Sequence, residues 1–168
     1  MEGTTEYILF NNVLREKFEE ELNDIEIIPI FGKFHYVFFD ELAKKLDLNY
    51  WFLLDKDKKI DDEGKENWTN KQKNFWEKYG ENETNEETNG ITHSKESGEN
   101  RISWLPSDTE EFLGIKLEHN EKQCCKEYNI ISREEDILEN LEREQEKIKE
   151  LKKIFSLVKT KKKNLNNA

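Results

Sequence analysis

A chain of 168 residues has the length of one domain and can bury a core of modest size. Hydrophobic residues make up 34% of it and charged residues 39%, which is too polar for a chain that packs along its whole length. Ten Phe, five Tyr and four Trp are nevertheless too many aromatic residues for a wholly disordered protein. The formal net charge of −11, from 38 acidic and 27 basic side chains, argues against general binding to nucleic acid, whose phosphates are bound by Lys and Arg.

The residues from Met1 to Glu6 lack a basic region followed by a long apolar run, so we expect no secretory signal. No eighteen apolar residues occur together, so we expect no transmembrane helix. The two cysteines, Cys124 and Cys125, are neighbours, and neighbouring cysteines rarely form a disulfide. These features predict a cytoplasmic or nuclear protein with reduced thiols.

The first predicted element is a helix from Glu6 to Asn23, with Thr5 as its N-cap. Its apolar residues recur every four positions, which is the spacing of one helix face. They are Phe10, Leu14, Phe18 and Leu22. The periodicity therefore predicts a helix with one buried face.

The period then changes, and two β-branched and aromatic runs, Ile25–Phe31 and Phe34–Phe39, are separated by a turn at Gly32. This pattern predicts two strands of a β-hairpin. Asp40–Leu48 is predicted to form a short helix, and the continuous apolar run Tyr50–Leu54 a buried strand.

From residue 61 to residue 100 the sequence is polar, and we predict an insertion that is largely disordered, above all over Gly80–Asn100. Four aromatic residues at the start of this insertion could line one side of a short helix: Trp68, Phe75, Trp76 and Tyr79. Short strands are predicted at Arg101–Pro106 and Glu111–Leu117.

The last predicted element is a long helix from Ser132 to Val158. Ser132 stands three residues before Glu135, which is the spacing of a capping box. Apolar residues then occupy heptad positions with a break at Glu144, the pattern of a coiled coil. These residues are Ile137, Leu141, Ile148, Leu151, Phe155 and Val158. Such a stripe needs an apolar partner, which is either the first helix of the same chain or another chain.

We assign the partner-binding role to the end of the stripe that extends beyond the shorter first helix: Ile148, Leu151, Phe155 and Val158. The predicted fold class is α+β, with an N-terminal helix, short β-hairpins, a disordered polar insertion and a long C-terminal coiled-coil helix. The predicted regions are 1–60 (helix and hairpin), 61–100 (insertion), 101–160 (short strands and long helix) and 161–168 (basic tail).

No motif predicts a catalytic residue, a cofactor or a metal site. Asp55 to Asp61 begins like a calcium loop, but Ile60 stands where the sharp turn requires Gly, so a solvated loop is predicted. Asp55 and Asp57, as an Asp-x-Asp pair for a metal, are a weaker signal still. His119, Cys124 and Cys125 lack the cysteine spacing of a zinc site.

The order of helix, hairpins and long helix resembles prefoldin subunits and prefoldin-like co-chaperones. Ile28–Gly32 looks like the start of the hairpin region of that family, and Phe112–Gly114 like its apolar-Leu-Gly turn. The resemblance implies chaperone activity together with other subunits. From the heptad stripe, the charge and the lack of a catalytic motif, we predict a non-catalytic, protein-binding subunit or adaptor in a hetero-oligomer, with neither a membrane nor nucleic acid expected among its partners. The alternative is a nucleic-acid-associated factor of splicing or ribosome assembly that uses the Lys-rich tail, Lys161–Lys163.

Overall fold

The computed structural model describes residues 1–56, 68–80, 91–93, 101–106, 108–115 and 126–159. Helical segments alternate with short strands, so the predicted α+β class is confirmed. None of the helices in these ranges is long and apolar enough to span a membrane. The predicted disordered stretch 80–100 falls outside the described residues except for residue 80 and residues 91–93, and the basic tail lies outside them entirely.

The N-terminal helical region forms as predicted, although it is not one uniform α-helix. Its segments follow one another as α1 (Thr4–Ile8), a π-helical turn (Leu9–Val13), α2 (Leu14–Lys17) and α3 (Glu19–Leu22). The four residues of the predicted apolar face are at most 1% exposed. The helix begins earlier than predicted, because Gly3 occupies the N-cap and Thr5 lies inside the first turn.

The predicted β-hairpin is wrong. No strand forms over Ile25–Ile30, and Lys33–His35 makes one 3-10 turn that leads into helix α4 (Tyr36–Lys45). A short apolar run does not distinguish a strand from a buried helix by periodicity alone. The side chains that α4 buries are Tyr36, Asp40 and Ala43, at intervals of four and three residues that belong to a helix face.

A three-stranded sheet contains β1 (Phe52–Asp55), β2 (Thr92–His93) and β3 (Ile102–Leu105), and helix α5 (Asn70–Tyr79) lies between β1 and β2 in the chain. β3 is central, parallel to β1 and antiparallel to β2. The predicted strands at 50–54 and 101–106 are therefore confirmed.

The strand predicted over 111–117 does not form over 111–115, and residues 116 and 117 lie outside the described ranges. Helix α6 (Thr109–Phe112) occupies the start of that region, and Asp108 caps it by accepting a hydrogen bond from the backbone N–H of Glu111 at 2.7 Å. Leu113 and Ile115 are buried beyond the end of α6.

The core lies on both faces of the sheet, because side chains of a strand alternate between its faces. Leu53 and Leu105 pack with the N-terminal and C-terminal helices. The opposite face carries a mainly aromatic cluster: Tyr36, Phe52, Leu54, Phe75, Ile102 and Trp104, with Ile30.

The predicted long C-terminal helix is divided. A separate helix, α7 (Lys126–Ile131), precedes the predicted range, which is divided into α8 (Glu134–Arg143) and α9 (Gln145–Lys159). The chain leaves helical geometry at Glu144, where the heptad pattern also breaks. The predicted capping box does not form, because the N-cap of α8 is Arg133 and the Ser132 hydroxyl donates to the carbonyl oxygen of Asn129.

The stripe of α8 and α9 packs against the N-terminal helical region of the same chain. The Phe155 ring lies edge-on to those of Phe10 and Phe18, at centroid distances of 6.1 and 5.5 Å. Lys17 pairs with Glu142 at 2.7 Å on the rim of this contact. The predicted coiled coil is not seen among the described residues, since a broken helix folds back onto a nearby apolar face instead.

Candidate functional site

Charged and polar side chains from four separate segments meet where β1 ends. Glu2 precedes α1 and Glu6 lies in its first turn, while Lys33 comes from the 3-10 turn, Asp55 from the end of β1 and Thr109 from the start of α6. Of these residues, Glu6, Lys33 and Thr109 are less than 9% exposed. Buried charged groups are rare unless they are paired or functional, so this group is the candidate site.

Glu2 and Glu6 are held by the backbone that surrounds them. The Glu6 carboxylate accepts a hydrogen bond from the backbone N–H of Gly3 at 2.6 Å, which orients it toward the start of its own helix. The Glu2 carboxylate accepts one from the backbone N–H of Asp55 at 3.2 Å. The second bond ties the N-terminal turn directly to the end of β1.

Lys33 reaches the same point because the chain turns sharply just before it. Phe31 and Gly32 both have positive φ angles, of 57° and 109°, and the second lies in a region that favours glycine. The Lys33 ammonium donates to the carbonyl oxygen of Asp55 at 2.8 Å and lies 3.7 Å from the Glu2 carboxylate. Its side chain is only 9% exposed, so its charge acts inside the site.

Asp55 is the centre of the group. Its carboxylate accepts a hydrogen bond from the Thr109 hydroxyl at 3.0 Å, which lowers its pKa. Burial outweighs this, and together with the negative charges of Glu6 and Glu2 it raises the pKa of Asp55 to about 8. Glu110 acts in the same direction. At neutral pH the carboxyl of Asp55 therefore retains its proton when no cation is bound.

A divalent cation suits these side chains by charge and by donor type. Carboxylate oxygens are the ligands that Mg²⁺ prefers, and a cation relieves the repulsion that raises the pKa of Asp55. In their present positions, no three Asp, Glu, His or Cys side chains among the described residues converge as a ligand set. Glu2, Glu6 and Asp55 instead bond to backbone N–H groups and to Thr109, so loading would require their carboxylates to turn. Asp57 lies outside the described residues.

Residues 1–57 match the family described as OLD-like TOPRIM, the TOPRIM domain of proteins like the Overcoming lysogenization defect protein. The match covers 57 of the 168 residues and includes Glu2, Glu6, Lys33 and Asp55. Domains of this kind belong to nuclease-, topoisomerase- and primase-type enzymes and bind nucleotides and metals. No curated protein and no solved structure matches the chain.

This match overturns the prefoldin resemblance and the functional conclusions drawn from it. The chain is similar to an enzyme domain, so the predictions of a non-catalytic adaptor, of chaperone activity and of no nucleic-acid partner are wrong. The alternative of a nucleic-acid-associated factor agrees better with the match. The partner prediction relied on the total charge of −11, whereas binding at a nucleic-acid site depends on local charge and on bound cations.

The four residues predicted to bind a partner lie near one another on α9 but differ in exposure. Leu151 and Phe155 are 0% and 3% exposed, inside the core of the chain itself, while Ile148 and Val158 are partly exposed. Phe155 and Val158 also line an apolar groove of about 620 Å³ between α9, α4 and the segment 25–30. Partner binding through these residues stays a prediction.

The residues of the site carried signals that the sequence reasoning passed over. Asp55 directly follows five consecutive apolar residues, and an acidic side chain at the end of a buried strand lies at the edge where ligands of α/β sheets bind. Asp55 was instead assigned to a solvated loop, and that prediction is wrong for this residue. Glu2 contributed only to the expectation of no secretory signal, and Glu6 contributed to that expectation and to the start of the first predicted helix.

Proposed function

We propose that the chain provides a divalent-cation-dependent site for phosphodiester cleavage in nucleic acid, with Glu2, Glu6 and Asp55 as the carboxylates that hold the cation. The observation that carries the proposal is the carboxyl of Asp55 at the carboxyl end of a parallel strand, where burial and then two neighbouring carboxylates raise its pKa. The match of residues 1–57 to a TOPRIM domain supports the same chemistry.

Some residues of the site supply charge, and others orient the groups that would bind the cation. Glu2, just before α1, and Glu6, in its first turn, supply negative charge, and Thr109 orients the Asp55 carboxyl through its hydroxyl. Lys33, beside the Glu2 carboxylate, can offer its ammonium to a phosphate oxygen of the substrate. A bound divalent cation supplies the Lewis acid that polarises the phosphoryl oxygen and lowers the pKa of a bound water.

Cation binding at this site should depend on pH. Asp55 must lose its proton before its carboxylate can bind a cation, and its pKa of about 8 places that loss near physiological pH. The Mg²⁺ concentration needed for half-maximal binding should therefore decrease as the pH rises from about 6.5 to 8.5. Isothermal titration calorimetry with Mg²⁺ measures this directly.

The proposal is tested with purified chain, Mg²⁺ or Mn²⁺, and both supercoiled plasmid and linear single-stranded DNA as substrates. We expect cleavage that EDTA abolishes and that Asp55→Asn and Glu6→Gln reduce at least a hundredfold. Glu16→Gln, an exposed carboxylate on α2, serves as the matched control and should cleave like wild type. The proposal would be refuted if the Asp55→Asn variant still cleaved DNA, or if the wild-type chain cleaved neither substrate with either cation.

A further inference from the structure

A basic and aromatic surface borders the candidate site on the other face of β1. Lys56 follows Asp55 and continues the ladder, since its backbone N–H donates to the carbonyl oxygen of Leu105 at 3.1 Å. Neighbouring side chains of a strand point to opposite faces, so Lys56 lies across the sheet edge from the Asp55 carboxyl. The Lys56 ammonium lies 5.2 Å from the centroid of the Trp76 ring.

Helix α5 makes this surface positive within an acidic protein. Between Asn70 and Tyr79 it carries three lysines (71, 73 and 78) and one glutamate (77), which is a net charge of +2, whereas the whole chain carries −11. Lys71 is exposed, and its ammonium lies 4.1 Å from the centroid of the Phe34 ring. Phe34 directly follows Lys33 of the site, so the surface and the site share one turn of backbone.

Aromatic rings lie beside two of these cations, Trp76 beside Lys56 and Phe34 beside Lys71. Trp68 and Trp76 are both partly exposed, and their ring centroids are 5.5 Å apart. Trp76 also packs against the buried Trp104 at 4.9 Å, which fixes it on the sheet. A capping box between Thr69 and Gln72 secures the start of α5 beside these rings. The rings are therefore held in place with part of their surface open to solvent.

We propose that this surface, Lys56, Lys71 and Lys78 with the rings of Phe34, Trp68 and Trp76, binds single-stranded nucleic acid and leads it to the carboxylates at the end of β1. The inference rests on the proposed function, because cleavage at the cation site is the reason for a nucleic-acid strand to reach Asp55. Lysines contact the phosphates, and aromatic faces stack on bases that are unpaired. A duplex keeps its bases stacked within itself, so it can use the lysines but not the rings.

The binding test uses the full chain and a fluorescein-labelled 20-nucleotide oligothymidylate, in EDTA so that binding is measured without cleavage. Fluorescence anisotropy should show Lys71→Glu/Lys78→Glu binding at least tenfold more weakly than wild type. Each lost phosphate contact lowers the salt slope for a single strand by about 0.7, so the slope should decrease by about 1.4. Lys149→Glu/Lys153→Glu on α9 makes the same change in charge at exposed positions and should stay within twofold of wild type.

A second variant isolates stacking from charge. Trp68→Leu removes one partly exposed ring without changing the charge, and it should weaken binding about tenfold while the circular dichroism stays that of wild type. The same oligonucleotide annealed to its complement should bind more weakly than the single strand. Equal losses for the two pairs of lysine variants, or duplex bound as tightly as single strand, would overturn the inference.

Asp55→Asn separates this inference from the proposed function. Its binding in EDTA should equal that of wild type, because the cation site takes no part in it. If oligothymidylate binds as expected and no cleavage occurs, the proposed function fails and the binding surface stands. If cleavage requires Asp55 but binding does not depend on Lys71 and Lys78, the inference fails and the proposed function stands.

Discussion

The stability of the cation-free protein should depend on pH through Asp55, and Asp55→Asn should remove that dependence. Burial and the charges of Glu6 and Glu2 raise the pKa of Asp55 from 3.8 to about 8. The unfolded chain releases this proton near pH 4 and the folded chain only near pH 8. Between these values the folded state binds more protons, so the free energy of unfolding falls as the pH rises; below and above this window Asp55 contributes no slope.

The size of the effect follows from the shift in pKa. One pKa unit corresponds to about 1.4 kcal/mol, so a shift of about four units lowers the free energy of unfolding by as much as about 5 kcal/mol between pH 4 and pH 8. Asparagine has the same shape as aspartate, keeps an oxygen for the Thr109 hydroxyl and does not titrate in this range. The variant should therefore gain stability relative to wild type as the pH rises.

The assay is urea unfolding followed by circular dichroism at pH 5 and pH 8.5, with EDTA present. The quantity of interest is the difference in unfolding free energy between Asp55→Asn and wild type, because the titration of most other groups cancels in it. Glu16→Gln, on an exposed face of α2, should give a difference that does not change with pH. If the Asp55→Asn difference changes by less than about 1 kcal/mol between the two pH values, Asp55 is not held protonated and the electrostatic reasoning is wrong.

Two further predictions concern packing. Phe155→Ala should lower the free energy of unfolding by about 3 to 5 kcal/mol, because the ring is buried against Phe10 and Phe18; unchanged stability in urea would assign Phe155 to partner binding instead. Tyr36→Ala should cost a similar amount, whereas Phe38→Ala, at a position 64% exposed, should stay within about 0.5 kcal/mol of wild type; equal losses in the same assay would contradict the helical assignment of α4.

The sequence predicted correctly those elements whose pattern depends only on residues close together in the chain. The four-residue spacing of Phe10, Leu14, Phe18 and Leu22 predicted the N-terminal helical region, since one face of a helix is a local property. The apolar run before Asp55 predicted β1 for a similar reason.

The segment 34–39 shows where local pattern was insufficient. Its six residues are almost all apolar or aromatic, so neither period is visible in the sequence, and the surroundings decide the conformation. Tyr36 packs between the rings of Phe52 and Tyr79, which arrive from β1 and α5, and this contact selects the helix. The predicted C-terminal helix likewise has its apolar stripe, but the stripe packs against the N-terminal helical region of the same chain.

The sequence by itself determined a mixed α+β chain with an amphipathic N-terminal helical region and buried strands at β1 and β3, because helix and strand periods are written in neighbouring residues. Only the tertiary structure brought Glu2, Lys33, Asp55 and Thr109 together, since these residues are separated along the chain and meet through the placement of the 3-10 turn, β1 and α6. The pKa of Asp55 is decided at the same level: burial and the charges of Glu6 and Glu2 exist only once the chain has folded.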